Sequence, residues 1–472
     1  MSRTKIIATI GPATNTPRSL KELAEAGMAV ARLNGSHSDL EWHSKTIATI
    51  RETLPDIPIL LDIPGRKIRT ATLSHEPSFL AGEILTLTTD PSHDCEDKVL
   101  IGSPTLHEDV TGGSTILADD GTLRFTVVNV EGRDIHCRAE IAGTLRSRKG
   151  INVPSVALRG ELITKFDREI IGFARDHSVD FIGISFVQSA DHVNAIREVV
   201  GGDSPRIVSK VESQEGLDHL EEIVVASDVI MIDRGDLSVE TNLENVVLMQ
   251  KRIISVAQAH ARPVIVATEM LHSMIDKPFP TKAEISDISN AVLDGAAATM
   301  LSGETAIGTY PVEAVSIMHR VAAAADTLLQ DTLDGHATGS ADVPQAMAEA
   351  IAQVCRSLPV TKIVAVTISG FAARTIAARQ PRQPIIAVSN DAKAARAFNL
   401  LAGTTGFHVE IPFSKDSTDH IPACLEKLWR AQLLVDEDLV LVTSVAYPRS
   451  GNRMNMLQTH RIADLKSSLA WS

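Results

Sequence analysis

Residues 206–240 read RIVSKVESQEGLDHLEEIVVASDVIMIDRGDLSVE, and the parsing of this stretch decides the fold. RIVSKVE alternates as a half-buried strand does, so Lys210 and Glu212, two apart, point to one side. A helical interval follows, then a second apolar strand, VIMI, which ends in Asp233-Arg234-Gly235-Asp236 at a helix start. A lysine and two carboxylates at the ends of neighbouring parallel strands can hold a divalent cation and a phosphate together. Hard cations take oxygen ligands, and an ammonium group offsets charge on a phosphoryl group in transfer. The plainer reading is a Lys-Glu salt bridge beside a capping Asp. The surrounding chain weighs between the two.

Working outward, short apolar strands recur at KIIATIG (5–11), VARLNGSH (30–37), ILLDIPG (59–65), FIGISFV (181–187), PVIVATEM (263–270) and ATMLSGE (298–304). Amphipathic segments such as TPRSLKELAEAGM and FDREIIGFARDHS lie between them. Near-continuous apolar strands alternating with helices indicate a parallel sheet covered by helices. Together with the two strands of the opening stretch they predict a (β/α)8 barrel, whose active-site face is formed by the strand C-termini. The polar residues at those ends are Asn34, Ser36, Asp62, Lys210, Glu212, Asp236, Thr268 and Ser302 to Glu304. The barrel is expected over 1–70 and 151–335. Residues 71–150 break the pattern: EILTLTTD, STILADDGTLRFTVVNV and DIHCRAEIAGTL read as β, punctuated by Gly and Asp turns. A β module inserted after the third strand would sit over the mouth as a lid. DTLDGHATGSADVP (331–344) reads as a linker. Beyond it, KIVAVTIS, PIIAVSN, HVEIPF and DLVLVTSV alternate with helices and predict an open α/β domain over 340–472.

A net charge of −14 over 472 residues, with no basic run, excludes an electrostatic nucleic-acid surface. No apolar stretch reaches the roughly 18–20 residues that span a bilayer. Cys95, Cys137, Cys355 and Cys424 show no CxxC spacing and are expected as free thiols. These features predict a soluble cytoplasmic protein without a membrane or nucleic-acid partner.

TKIIATIGPA (4–13), LDIPGRKIRT (61–70), ADDG (118–121), RKGINVP (148–154), SKVESQEG (209–216), DRGDLSVE (233–240), VIVATEMLHSMI (264–275) and PTKAEISDISNAVLDGAAATMLSGETA (280–306) stand in order on this architecture. In them the chain resembles the pyruvate kinases over essentially its whole length. The resemblance implies phosphoryl transfer from phosphoenolpyruvate to ADP, giving pyruvate and ATP, by a homotetramer that needs Mg2+ or Mn2+. It implies that Arg32 and Arg69 contact the phosphoryl group and that Lys210 stabilises it in flight. Glu212 and Asp236 would hold the metal. Arg234, Gly235 and Asp236 would cradle the substrate carboxylate through their backbone, with Thr268 beside the route of the proton to the enolate. Pro12, Asn34, His37 and Arg69 would face the nucleotide.

The departures are specific. The third strand carries Ile63 and Lys67 where the family usually has a hydroxyl residue and a glutamate. The hydroxyl serves an activating potassium ion beside the equivalents of Asn34, Ser36 and Asp62, and lysine at position 67 marks potassium-independent members. A tethered ammonium supplies the charge the ion would have brought, so K+ is expected not to be required. Gly35 replaces an aromatic residue, Asp233 a small apolar one and Glu269 an amide. Turned inward, Asp233 would repel a substrate carboxylate; turned outward, it would do little. In the C-terminal domain, Thr367, Ser369 and Gly370 remain from a sugar-phosphate-binding turn, but Phe371 and Ala372 remove its cation and a hydroxyl. Arg449 and Arg453 could supply charge there to a phosphorylated effector, or lie solvated on the surface. Three other functions compete with the first: a paralogue acting on another enol phosphate, a metal-dependent lyase of a carboxylate-binding barrel, and a catalytically weak metabolite sensor.

Overall fold

The computed structural model describes residues 2–65, 67–93, 97–119, 121–154, 156, 161–329, 343–414, 416–445 and 454–471. Eight strands close into a barrel: β1 (Lys5–Thr9), β2 (Met28–Asn34), β3 (Ile59–Ile63), β4 (Phe181–Ile184), β5 (Arg206–Val211), β6 (Val229–Asp233), β7 (Val264–Ala267) and β8 (Ala298–Leu301). Each pairs in parallel with its sequence neighbours, and β8 returns to β1. All eight lie where the apolar runs predicted them.

Local chemistry fixes the helices around this barrel. Thr16, Thr164 and Thr281 each cap a helix, and each is answered by the residue three positions on: Ser19, Asp167 and Glu284. The helices turn apolar stripes inward, such as Leu20 with Leu23 and Ile170 with Ile171. Strand alternation then splits the barrel residues into two layers. Ile63, Val211 and Ile232 join the helix-facing layer. Val30, Leu60, Val208 and Met231 fill the barrel interior. Higher in that interior, towards the strand C-termini, the side chains become polar.

The segment after β3 forms a seven-stranded sheet. In spatial order it runs Ile68–Arg69, Gly150–Asn152, Thr115–Ala118, Leu123–Glu131, Asp134–Ala139, Ile84–Thr88 and Val99–Leu100. It has its own core around Phe79, Leu87, Ile116, Phe125 and Ile135. The strands expected in this insertion are present.

The C-terminal sheet holds β9 (Lys362–Val366), β10 (Ile385–Ser389), β11 (Thr404–His408), β12 (Leu439–Ser444) and β13 (Met456–Arg461), in spatial order β11-β10-β9-β12-β13. Only β13 is antiparallel. β11 ends at His408, where the expected strand HVEIPF begins; Val409 instead packs in the core below. Residues 331–342 of the linker reading and Cys95 lie outside the described residues, and Val343 and Pro344 begin the helix Val343–Ser357; Cys137, Cys355 and Cys424 are buried and not joined in disulfides. Among the described residues, no helix is long and apolar enough to cross a membrane.

The C-terminal domain closes the floor of the barrel. Ala397 and Leu400 pack into the interior layer beneath Val30, Leu60 and Val208. Beside them Asp180, only 2% exposed, takes Arg51 Nη2 at 2.6 Å and Arg396 Nε at 3.1 Å, joining the two domains. It also accepts the Ile59 N–H at 2.8 Å. Asp180→Asn should therefore lower unfolding stability by about 3 kcal/mol, because two largely buried guanidinium groups lose their carboxylate. Urea unfolding checks this; an unchanged midpoint would refute it.

Candidate active site

The register of the parallel strands assembles the mouth. Asn34 pairs with Asp62, and Asp62 with Gly183, at one level across β2, β3 and β4. β5 contributes Lys210 and, one residue beyond its end, Glu212; β6 ends on Asp233 and β7 delivers Thr268. These residues, except Gly183 and Glu212, line a cleft of about 650 Å³ with Arg32, Lys67, Arg69, His37 and Asp236. The candidates scattered through the sequence thus converge on one opening.

Its floor is a buried ionic cluster. Lys210 Nζ lies 2.9 Å from Asp233 Oδ2 and 3.0 Å from Glu212 Oε2, and donates to Ser185 Oγ at 3.3 Å. Burial pulls the Lys210 ammonium pKa down, but the carboxylates of Asp233 and Glu212 outweigh it, leaving the pKa raised. Glu212 is fully buried; loss of water drives its pKa up to about 8 against the pull of Lys210. Asp233 is buried too, yet the contact with Lys210 prevails and holds it at about 2. Asp236 is pushed up, first by burial and then by Asp233, although Lys67 Nζ donates to both its oxygens at 2.7 and 2.9 Å.

Arg32 forms the second ionic group. Its Nε and Nη2 both reach Asp62 Oδ2, at 3.1 and 2.7 Å, and Nη1 donates to Thr9 Oγ1 at 3.1 Å. Arg69 stands at the lid edge, where Nη1 donates to the Arg148 carbonyl at 3.3 Å. His37 lies between them at the rim; partial burial and then the charges of Arg69 and Arg32 depress its pKa, favouring the neutral ring.

Thr268 and Glu269 both adopt left-handed backbone, with φ of 68° and 57°. For a β-branched residue this costs on the order of 1–3 kcal/mol and persists only where neighbours enforce it. Here Thr268 Oγ1 donates to the Ala267 carbonyl at 2.6 Å and accepts the Gly235 N–H at 2.8 Å. The strained turn is thereby locked to the start of the helix Arg234–Glu240.

Several sequence readings change. Asp233 faces inward. Gly35 is a steric requirement, since its N–H donates to the Asp62 carbonyl at 2.9 Å and a Cβ there would run into that same oxygen. Ile63 faces the helices, so its missing hydroxyl takes no side-chain ligand from the mouth; only its carbonyl turns to Ser185, at 3.0 Å. The Arg234 side chain turns away from the cleft to Asp287, at 2.7 and 2.8 Å, and to the Thr268 carbonyl. Glu304, read as a mouth residue, is consumed by the N–H groups of Leu271 and Ser302. Pro12 is exposed on the turn after β1 and does not line the cleft.

In the C-terminal domain, the turn 367–370 is held by Gly370 N–H donating to Thr367 Oγ1 at 3.1 Å, with Ser369 exposed. Arg449 and Arg453 lie outside the described residues. Ser185 and the lid pair Lys149–Asp119, at 2.7 Å, also line the cleft. The sequence reading did not assign them; their signal lay in the FIGISFV, RKGINVP and ADDG motifs that contain or adjoin them.

The cluster can take a divalent ion. Glu212, Asp233 and Asp236 each present a carboxylate oxygen within 4.8 Å of the others. An all-oxygen donor set suits Mg2+ or Mn2+.

Comparison with known proteins agrees with this geometry. The family model described as pyruvate kinase, barrel domain, matches residues 1–315, and the one described as pyruvate kinase, alpha/beta domain, matches 345–460. Pyruvate kinase of Bacillus licheniformis is 38% identical, covering 98% of this chain and 81% of its own. That of Thermotoga maritima is 35% identical, over 94% and 96%. A solved structure of a pyruvate kinase from Cryptosporidium parvum superposes with a TM-score of 0.89 at 33% identity, covering 98% of this chain and 96% of its own.

Asp62 connects these ionic groups to the strands beneath. A Cβ at position 183 would run into Asp62 Oδ1. Gly183→Ala should displace Asp62 and Arg32 and destabilise the fold by about 1–3 kcal/mol. An unchanged melting profile and an undisplaced Arg32 in a crystal structure of the variant would contradict this.

Proposed function

The chain belongs to the pyruvate kinase family and is a phosphotransferase of that type, and from that premise we propose that it transfers the phosphoryl group of phosphoenolpyruvate to ADP without requiring K+. The observation that carries this reading is the cluster of Lys210 and buried Glu212 at the end of β5 with Asp236 in the helix after β6, Lys210 and Asp236 lining one cleft with Arg32.

Arg32 and Arg69 bring planar forks of N–H donors to phosphoryl oxygens. Lys210 Nζ, held at the centre of the floor, offsets negative charge as the group moves. The N-terminal turn of Arg234–Glu240 offers backbone N–H groups to a carboxylate, and Thr268 fixes that turn through Gly235. Thr268 also stands beside the route by which the enolate carbon gains its proton. Glu212 and Asp236 would hold Mg2+ or Mn2+, which when bound supplies positive charge to the enol and phosphoryl oxygens. Asn34, His37 and Arg69 form the nucleotide side; Pro12, which does not line the cleft, is left out of it. The lid would then exclude water as it closes.

Lys67 supports potassium independence. Its ammonium reaches into the mouth and meets Asp236 at 2.7 Å, a fixed charge where a soluble ion would otherwise be needed. With Ile63 facing the helices, this part of the proposal rests on Lys67.

Exposed Leu243, Val247 and Leu248 form an apolar face that a second copy would cover, in keeping with a homotetramer. The turn at Thr367, Ser369 and Gly370 is where a phosphorylated effector would sit. A cytoplasmic location follows from a glycolytic role. The inward carboxylate of Asp233 favours a second reading, in which the same machinery acts on a different enol phosphate.

Pyruvate formation from phosphoenolpyruvate and ADP with Mg2+ should be equal with and without K+. Lys210→Met should abolish it, and Lys67→Glu should make it K+-responsive or inactive. No pyruvate from folded, metal-loaded protein would overturn the substrate assignment and turn the search to other enol phosphates. A many-fold rise on adding K+ would overturn the potassium claim.

A further inference from the structure

The floor of the cleft holds more carboxylates than cations. Arg32 is committed to Asp62 and Lys67 to Asp236. Lys210 alone must serve both Asp233 and Glu212, at 2.9 and 3.0 Å. Asp233 is 7% exposed and Glu212 not at all, so the carboxyl groups that outnumber the cations are shut away from water. A buried carboxylate without its own cation or full hydrogen bonding is costly. Glu212 Oε1 accepts the Phe186 N–H at 2.8 Å, whereas the fully buried Oε2 meets the Lys210 ammonium at 3.0 Å, which it shares with Asp233. The arrangement has room for one more positive centre. Three acidic side chains, from the ends of β5 and β6 and the first turn of the helix after β6, already converge, with ligand oxygens within 4.8 Å of one another.

We propose that Asp233 is a third carboxylate ligand of the divalent-metal site, held in the metal-free chain by Lys210. The proposal rests on the reading of Glu212 and Asp236 as metal ligands and adds a residue to them. It has two consequences. A third carboxylate would raise the site's affinity for the ion and leave it fewer positions for substrate oxygens. With Asp233 and Glu212 engaged by the metal, Lys210 Nζ would be released from its carboxylate partners to serve an anionic phosphoryl group. The same exchange at Asp236 frees Lys67. The inward carboxylate, which alone would repel a substrate acid, becomes compatible with one once it is neutralised by the metal.

The test is direct titration of the full chain with Mn2+, following free Mn2+ by electron paramagnetic resonance, without nucleotide or substrate. The unaltered protein, Asp233→Ala, the isosteric Asp233→Asn and Glu212→Gln are compared, each first checked for an unchanged melting profile. Asp233→Ala and Asp233→Asn should both weaken Mn2+ binding roughly tenfold or more, as loss of one charged ligand from a hard-cation site requires. Unchanged affinity in both Asp233 variants, with binding lost in Glu212→Gln, would overturn the proposal alone and leave Asp233 as a counter-ion of Lys210. No Mn2+ binding by the unaltered protein would overturn the metal-site reading itself.

Discussion

Lys210, buried beneath two carboxylates, is the constraint on which the rest of the site depends. An ammonium group at 5% exposure survives only because Asp233 and Glu212 stand within 3.0 Å of it. Those carboxylates exist at that depth only because parallel strands in fixed register bring their ends to one level. The helix layer holds the strands in register, and the C-terminal domain closes the opposite end of the barrel with Ala397 and Leu400. The ionic floor is therefore built by the whole barrel, which brings its charged groups together before any ligand arrives.

Around that floor, the surrounding residues act as supports. Asp62 holds Arg32, and Gly183 leaves the space Asp62 occupies. Gly35 lets the loop after β2 approach the Asp62 carbonyl. Thr268 accepts a strained backbone in order to fasten the helix start at Gly235. Removing any one of these changes where a guanidinium or an N–H points, with the cost appearing as misplacement of donors more than loss of contacts.

Much of this was legible in the sequence, for a physical reason. Strand ends carry polar residues after apolar runs, so Lys210, Glu212, Asp236 and Thr268 announced themselves, and the barrel brought them together. What could not be read depended on contacts distant in the chain. The inward turn of Asp233 is set by Lys210 on the next strand, and the need for Gly35 by a carbonyl on β3. Ile63 was misjudged because strand alternation places its side chain opposite Asp62. Glu304 was misjudged because nearby N–H groups claim its carboxylate. In the C-terminal sheet, β13 (MLQTHR) went unseen since it lacks a continuous apolar run, being a partly exposed edge strand.

The central claim is that the cations of the floor are masked by carboxylates until a divalent ion takes those carboxylates over. Calorimetric titration of phosphoenolpyruvate into the protein without ADP, with and without saturating Mn2+, tests it most directly. The account predicts affinity at least roughly tenfold higher with Mn2+, a coupling between two ligands that share one charged cluster. Equal affinity in the two titrations would contradict it.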